Sequence, residues 1–519
     1  MRVRRLALLV AASMFGLGAA PAERVDLIIR GGTIYTGSDT PFVGDVAVSG
    51  DRIRAVGKRL SLPARRVLDA RGMIVAPGFI DPHTHVGEQL ASDDAPTRLV
   101  PAFLRQGVTT AFIGNDGGGD PDVAAVLGSA AQKPVGINYG AYVGFGAVRN
   151  KVVGAGDRAP TKAELARMKE LVANAMCQGA LGFSTGLFYA PQSFAKTGEV
   201  IALAGEAAVR GGVYDSHLRD ESSYSIGLAA AVDEAIEIGR EARLPVNISH
   251  IKALGVDVHG QAPAIIAKVE AAQRAGQKIT ADQYPWSASG TSLVASLVPR
   301  WAQDGGRPAL LRRFDDASLA ERLRADMTEN LRRRGGAASL LVTEGQEKGR
   351  TLAEIAKTRG LNPIAAAIAV IRVADPAVAS FNQTEADIAA FMRRPWVMTG
   401  SDASTGHPRV YGSFARKYSE YVLARKVITL REFIERSTAL TADTFGLKDR
   451  GRLKPGAFAD IVVFDPKRYA ARATYERPTL LADGVRSVLV NGRVAVDKGK
   501  LTGAAAGRAL AHAPTPGTC

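Results

Sequence analysis

Hydrophobic residues in the middle of the chain form a repeating pattern, in which a short apolar run is followed by a loop and then by a helical stretch. The segments 161–177, 226–242 and 262–275 are examples of such helical stretches. Eight apolar runs that alternate with helices predict an α/β fold, a (β/α)8 TIM barrel. The runs cover residues 74–85, 108–115, 135–144, 180–185, 213–217, 246–250, 279–284 and 396–402.

Both ends of the chain carry a different pattern, which is typical of a small β-sheet. Short apolar runs there are separated by glycine-rich turns, such as the hairpin turn Asn491-Gly492. We therefore predict a small β-sandwich domain built from both termini. The connection between runs seven and eight is too long for an unstructured loop, so we also expect an inserted helical subdomain. The predicted boundaries are 23–76 and 446–505 for the small domain, 77–445 for the catalytic barrel and about 287–395 for the insertion.

The first residues predict a secretory signal peptide rather than part of the fold. Three arginines precede an apolar run at 6–18, which is short for a membrane span, and residues 20–22 (Ala-Pro-Ala) match a cleavage site. We expect residues 1–22 to be removed on export, which leaves a periplasmic or secreted protein that is not held at a membrane. An uncleaved anchor is the alternative, and Arg4-Arg5 is a weak twin-arginine signal, so the export route stays open.

The composition is that of an ordinary globular protein. Of 519 residues, 46% are hydrophobic and 23% are charged, which excludes a disordered chain and a small disulfide-stabilised scaffold. The net charge is +15, or +12 without the three leader arginines (15 − 3), and the charged residues are scattered along the chain. Its densest cluster, 332–334, lacks interleaved aromatic residues, so we expect no nucleic-acid partner. Two cysteines, Cys177 and Cys519, are too few for a disulfide framework or a thiolate-only metal site.

Histidines are rare in this chain, yet four of the seven lie at the carboxyl ends of apolar runs. His83 and His85 end the first run, His217 the fifth and His250 the sixth, while Asp402 ends the eighth. The carboxyl ends of barrel strands carry the active site, and residues two apart on a strand face the same side. A single histidine there is more often a hydrogen-bonded packing residue. The joint pattern instead indicates a metal site, and imidazole and carboxylate are ligands of zinc.

Longer motifs surround these residues. Segments 72–85 and 451–462 resemble the opening motif of the amidohydrolase superfamily and its return to the β domain. Five further segments narrow the resemblance to the D-aminoacylases, or N-acyl-D-amino-acid deacylases, and together they cover the chain widely. They read GALGFSTGL at 179–187, SHLRDE at 216–221, SHIK at 249–252, DQYP at 282–285 and HPRVYGSF at 407–414.

The resemblance implies zinc, as one or two ions. Asp116, His217 and His250 would hold the tightly bound ion, and His83 and His85 would hold a second. Asp116 stands in an Asn-Asp-Gly motif where D-aminoacylases commonly have a cysteine ligand. A carboxylate can bridge two ions, but it is a harder donor than a thiolate, so the number of ions stays open.

Three other positions depart from related enzymes. Gly144-Phe145 stands where relatives often have Gly-His, and Phe188 stands where they often have glutamate. Both changes predict a more apolar mouth, with either a wider substrate preference or simple repacking as the result. Run four does not end in the lysine that hydantoinases and isoaspartyl dipeptidases carry, which argues against those two groups.

The resemblance also implies zinc-dependent hydrolysis of the amide bond of N-acyl-D-amino acids, which releases a carboxylate and a free D-amino acid. Zinc lowers the pKa of bound water toward about 7 and so supplies hydroxide. We expect Asp402 to act as the general base and then as the general acid. Lys252, Tyr284, Arg409 and Tyr189 are the expected substrate-binding residues, since guanidinium and ammonium groups bind a carboxylate.

Two other functions stay open. Another metallohydrolase of the superfamily, acting on a cyclic amide or a dipeptide, would use the same metal ligands. The alternative from a different class is an exported binding protein with a degenerate site, which would hold an anionic cell-envelope polymer on its basic surface. Substrate profiling separates the first alternative, and a metal assay separates the second. The sequence does not indicate which oligomeric state the protein adopts.

Overall fold

The computed structural model describes residues 24–519, so the expected signal peptide lies outside the described residues. Eight parallel strands form the predicted barrel, with neighbours in chain order. Strand three continues from one sheet into the next, and a parallel bridge between Thr84 and Ala403 joins the ends of strands one and eight. Barrel strands one to eight are Phe79–Asp81, Val108–Ile113, Asn138–Ala141 with Val143–Gly144, Gly182–Gly186, Val213–His217, Val246–Ile248, Ile279–Gln283 and Val397–Thr399.

Helices follow the strands and bury one face against the barrel. The helix Lys162–Cys177 begins at Thr161, whose side chain accepts a hydrogen bond from the backbone N–H of Glu164 while the Glu164 side chain returns one. No helix within residues 24–519 is long and apolar enough to cross a membrane. The other helices of this region are Gly87–Ala91, Ala95–Arg98, Pro101–Leu104, Val123–Gln132, Phe145–Val152, Thr197–Val209, Leu228–Ala242, Ala262–Arg274, Glu385–Met392, Arg409–Arg416, Leu430–Arg436 and Ala439–Thr444, with the 3-10 turn Gln192–Phe194 and the π-helix Lys417–Ala424.

Strands from both ends of the chain hydrogen-bond into one sheet, which we call the terminal sheet. Ile74–Pro77 runs antiparallel to Ile461–Phe464, and it leads directly into barrel strand one. Apolar side chains from both ends share a core, including Leu27, Val46 and Leu489. The sheet therefore fixes the start of the barrel. Its strands are Val25–Ile34, Phe42–Ser49, Arg52–Gly57, Ala64–Asp69, Ile74–Pro77, Ile461–Phe464, Val485–Val490, Arg493–Asp497 and Lys500–Leu501.

The segment between barrel strands seven and eight forms an inserted subdomain with its own hydrophobic core. The sequence led us to expect a helical subdomain, but the structure also contains a three-stranded antiparallel sheet. The strand Ala288–Ser292 of this sheet follows barrel strand seven and borders the central cavity. The other elements are strands Leu340–Val342 and Ala377–Phe381, helices Leu293–Leu297, Gly306–Asp315, Ala320–Arg333, Leu352–Arg359 and Pro363–Val373, and 3-10 turns Arg300–Gln303 and Ala337–Ser339.

The C-terminal tail, residues 503–519, runs across the amino ends of barrel strands. The Leu510 N–H donates to the Tyr139 carbonyl at 2.7 Å, and the His512 N–H donates to the Gly179 carbonyl at 2.9 Å. A disulfide joins Cys519 to Cys177 at the end of a barrel helix. The two cysteines, too few for a framework, thus tie the tail to the barrel.

Candidate metal centre and active site

The predicted metal residues converge at the carboxyl ends of the barrel strands. A cavity of about 420 Å³ opens there, and His85, Asp116, His217, His250 and Asp402 line it. The remaining predicted residue, His83 at the end of the first strand, is fully buried beside them. The inserted subdomain supplies the opposite wall of the cavity. The structure therefore brings the predicted side chains together at one end of the barrel.

Asp116 faces all four histidines of this group. Its Oδ1 lies 3.4 Å from His83 Nε2, 3.7 Å from His217 Nδ1 and 3.6 Å from His250 Nε2. Its other oxygen, Oδ2, lies 3.3 Å from His85 Nε2. One carboxylate thus stands between two pairs of imidazoles, which is the position of a bridging ligand.

Asp402 reaches the same group from the last strand. Its Oδ1 lies 3.3 Å from His85 Nε2 and 3.7 Å from His83 Nε2. Its Oδ2 forms an ion pair with Arg409 at 2.6 Å. Burial opposes ionisation of Asp402, but the Arg409 charge outweighs it and holds the pKa of this carboxyl below its usual value.

The chemistry of these residues fits a bound cation. Among the described residues, the Nε2 of His83 and the Oδ1 of Asp116 are buried without a hydrogen-bond partner, although such atoms are costly to leave unpaired. Ligand atoms of His83, Asp116, His250 and Asp402 all lie within 4.8 Å of one another. Burial lowers the pKa of His85, yet the two aspartates outweigh it and raise the pKa to about 9. The cluster therefore favours positive charge, and its nitrogen and oxygen donors suit zinc.

Glu221 is a functional residue that the sequence did not single out. Its Oε1 lies 3.3 Å from His250 Nδ1, and its Oε2 lies 3.7 Å from His217 Nε2. Lys252 Nζ lies 2.7 Å from the same His250 Nδ1, and an ammonium group can only donate, so this nitrogen accepts from Lys252. Glu221 thus helps to hold two candidate ligands, through its charge beside both rings and through its ion pair with Lys252. Its position four residues after a strand-end histidine was the available signal.

Lys252 lines the cavity, but its ammonium group is engaged within the protein. The Nζ donates to Glu221 Oε1 at 2.6 Å and to the His250 carbonyl at 3.0 Å. The Lys252 charge also keeps Glu221 ionised, since it outweighs burial and lowers the pKa of that carboxyl. In this arrangement Lys252 supports the metal ligands.

Arg409 borders the centre beside Asp402 and is 1% exposed. Its Nη2 donates to Ser404 Oγ at 2.7 Å, and the ring of Tyr284 lies 5.0 Å from the guanidinium carbon. Gly290 leaves room for this side chain, because a Cβ there would lie 2.9 Å from Nη2. Arg409 is therefore placed to meet a carboxylate in the cavity, while Tyr284 packs against it.

The remaining predicted positions divide between the cavity and the core. Tyr189 lines the cavity, with its ring centroid 4.8 Å from that of His217. Phe188 also lines it, at 5.8 Å from the same histidine ring. Phe145 is fully buried and packs against Phe183 instead. Of the two aromatic departures, Phe188 changes the cavity wall and Phe145 changes the packing.

A barrel of this topology with histidine and aspartate ligands at its mouth defines the class: the chain belongs to the amidohydrolase family, whose model matches residues 66–496. Within that family it belongs to the N-acyl-D-amino-acid deacylases. The D-aminoacylase of Alcaligenes xylosoxydans xylosoxydans is 33% identical over 96% of this chain and 99% of its own. The N-acyl-D-glutamate deacylase of the same organism is 33% identical over 91% of this chain and 93% of its own.

Solved structures agree with this assignment. The N-acyl-D-glutamate deacylase of Bordetella bronchiseptica, complexed with zinc and a phosphonate inhibitor, is 31% identical, with a TM-score of 0.81 over 94% of this chain and 100% of that one. A D-hydantoinase at 16% identity and a TM-score of 0.56, covering 94% of this chain and 99% of its own, shares the fold alone.

Proposed function

We propose that this protein hydrolyses the amide bond of N-acyl-D-amino acids in a zinc-dependent reaction, and so releases a carboxylate and a free D-amino acid. The observation that carries the proposal is the convergence of four histidines and two aspartates at the barrel mouth. The similar N-acyl-D-glutamate deacylase supports it, since it was solved with zinc and with a phosphonate mimic of the tetrahedral intermediate of its reaction.

The candidate ligands divide into two sets around Asp116. His217 and His250 would hold the first zinc ion together with Asp116, and His83 and His85 would hold a second. A bound zinc ion polarises the scissile carbonyl and makes water more acidic. Oδ1 of Asp116 faces His83, His217 and His250, while Oδ2 faces His85. Because one carboxylate reaches both ligand sets, the geometry supports one ion or two.

Asp402 would move the proton. Its Oδ1 faces His83 and His85, so it can take the proton of the attacking water at this atom and return it to the leaving nitrogen. Its Oδ2 is held by Arg409, which limits the carboxylate to one orientation. Arg409 would also bind the α-carboxylate of the substrate, whose planar shape matches the guanidinium group.

Two anchored groups would select the hand of the amino acid. The carboxylate is fixed at Arg409 and the scissile carbonyl at the ligand cluster, so one direction remains for the side chain. The similar deacylases support a preference for the D form, since their names specify D-amino acids.

Export is also part of the proposal. The arginine-rich start, the apolar run and the Ala-Pro-Ala sequence at 20–22 support removal of residues 1–22 and a periplasmic or secreted protein. The Cys177–Cys519 disulfide supports an oxidising compartment, since disulfides rarely persist in the cytosol. Amino-terminal sequencing of the protein from the soluble periplasmic fraction should begin at Glu23, and an intact leader in a membrane fraction would contradict export with cleavage.

The test of the enzymatic function is amine release from paired N-acetyl-D- and N-acetyl-L-amino acids with the zinc-loaded mature protein. We expect release from the D substrates alone. Cyclic amides and dipeptides are tested in parallel, and turnover of these without any N-acyl-D-amino acid would overturn the proposal. Metal-free protein is the control for contaminating deacylases.

A further inference from the structure

We propose that the catalytic cavity contains a second cationic subsite, centred on Arg334, which binds a negatively charged group of the substrate other than its α-carboxylate. The inference rests on the proposed function and narrows its substrate class to N-acyl amino acids with two negative charges. The second charge can belong to the amino-acid side chain or to the acyl group.

Arg334 is a buried guanidinium with an unused donor. The residue is 1% exposed and lines the catalytic cavity on the side of the inserted subdomain. Its Nε donates to the Ser296 carbonyl at 3.1 Å, but its Nη1 is buried with no hydrogen-bond partner among residues 24–519. Leaving a charged donor unpaired in the interior is unfavourable, so an anion that reaches this atom gains a strong hydrogen bond.

Two neighbouring side chains carry further unpaired donors: Tyr224 lines the catalytic cavity, and Arg300 lines an adjoining cavity that Tyr224 also borders. Arg300 stacks on Phe188, with its guanidinium carbon 3.8 Å from the ring centroid, and its Nη2 is buried without a partner in the described chain. The Tyr224 hydroxyl is also buried without such a partner, and its ring lies 5.4 Å from that of Phe188. Arg334 stands over the same tyrosine, 5.7 Å from its centroid. We call Tyr224, Arg300 and Arg334 the arginine cluster.

No described carboxylate neutralises the cluster by direct contact. Neither Arg300 nor Arg334 forms an ion pair within 4.0 Å in residues 24–519. Glu344 lines the same cavity but pairs with neither. Asp326 and Glu329 lie with Arg300 in a separate cavity of about 360 Å³, where they already accept hydrogen bonds from a tryptophan and an arginine.

The placement of the cluster defines what can reach it. Arg409, Arg334 and the candidate ligands other than His83 line one cavity of about 420 Å³. With the α-carboxylate at Arg409 and the scissile carbonyl at the ligands, only the side chain or the acyl group of the substrate remains to approach Arg334. A carboxylate at the end of either would meet the unused guanidinium donor.

The test compares charged substrates with neutral partners of the same shape. N-acetyl-D-glutamate is compared with N-acetyl-D-glutamine for the side chain, and N-succinyl-D-alanine with N-succinamoyl-D-alanine for the acyl group. We expect kcat/KM to favour the charged member by about 10- to 100-fold in one of the pairs, as a buried charge-assisted hydrogen bond allows. The favoured pair identifies the source of the charge, and ratios near one in both pairs would overturn the proposal.

Substitution assigns the effect to Arg334. Arg334→Met should bring the favoured ratio close to one, Arg334→Lys should retain part of it, and the exposed neighbour Arg332→Gln should leave it unchanged. The ratio does not depend on the fraction of folded enzyme, so loss of stability cannot imitate the result. An unchanged ratio in Arg334→Met would overturn the proposal.

Binding distinguishes failure of the subsite from failure of the proposed function. Calorimetry measures the affinity of zinc-loaded protein for the same substrate pairs, whether or not they turn over. Tighter binding of a charged member, lost in Arg334→Met, supports the subsite even without hydrolysis. Equal affinity within both pairs contradicts the subsite even where every N-acyl-D-amino acid is hydrolysed.

Discussion

At the scale of single residues, position on a strand decided what could be predicted. The sequence singled out His83, His217, His250 and Asp402 as candidates because residues at the carboxyl ends of barrel strands meet at the barrel mouth. Glu221 lies four residues after His217, and its two contacts with histidine rings depend on the path of the loop between them. The spacing was a signal, but spacing alone does not give that path.

Asp402→Asn tests the proton-transfer role at this scale. The amide cannot accept the water proton, so we expect kcat to fall by about 10²- to 10⁴-fold while bound zinc is retained. Steady-state kinetics and metal analysis measure the two quantities. Asp443→Asn, which removes only a surface pair with Arg452, is the control. Wild-type turnover in folded, zinc-loaded Asp402→Asn would refute the role.

Glu221→Gln tests the orientation of the ligands. A glutamine lacks the negative charge beside His217 and His250, and it leaves Lys252, which contacts His250 Nδ1, without its ion pair. We expect zinc affinity to fall by about 10- to 100-fold, measured by competition with a chelator. Glu206→Gln, a surface change beside Arg210, serves as the control. Equal affinity in Glu221→Gln and wild type would show that Glu221 does not orient the ligands.

At the scale of elements, the regular part of the barrel was predictable and the added parts were less so. Each of the eight apolar runs overlaps a barrel strand, because a strand buried on both faces is rich in apolar residues. The insertion was expected to be helical, yet it holds strands such as Leu340–Val342, which are too short to show a period in the sequence. The sequence did not predict that the tail packs on the barrel, because backbone hydrogen bonds, rather than large apolar side chains, attach it.

Cys519→Ser tests the attachment of the tail. The disulfide closes a loop with a sequence separation of 342 residues, so its loss should lower the free energy of unfolding by about 2–4 kcal/mol. Thermal denaturation without reductant should show a lower midpoint for the variant. Cys177→Ser and the double variant should match it. Equal midpoints for wild type and all variants, with two free thiols in the native protein, would contradict the disulfide.

At the scale of the whole molecule, the candidate ligands connect distant parts of the chain. Barrel strands one, two, five, six and eight each end beside the cluster, and the terminal sheet holds the start of strand one. A bound ion would therefore stabilise the closed barrel, in addition to its role in catalysis. This arrangement follows from the predicted fold, whereas the arginine cluster depends on the irregular insertion and could not be predicted.

Removal of zinc should therefore lower the thermal midpoint. At a free zinc concentration of 100 times the dissociation constant, the stabilisation is about 2.7 kcal/mol. Denaturation of chelator-treated protein, before and after zinc is restored, measures it. In Asp116→Ala the zinc-dependent shift should shrink, which separates binding at the cluster from non-specific effects. Identical midpoints with and without zinc would contradict a folded-state metal site.

The terminal sheet also bears on how the molecule is made. Ile74–Pro77 has Val25–Ile34 on one side and Ile461–Phe464 on the other, so one neighbour leaves the ribosome early and the other only after the entire barrel has been synthesised. The first strands must wait for their last partner. Until Ile461–Phe464 is available, Ile74–Pro77 would keep an open edge that can pair with other chains.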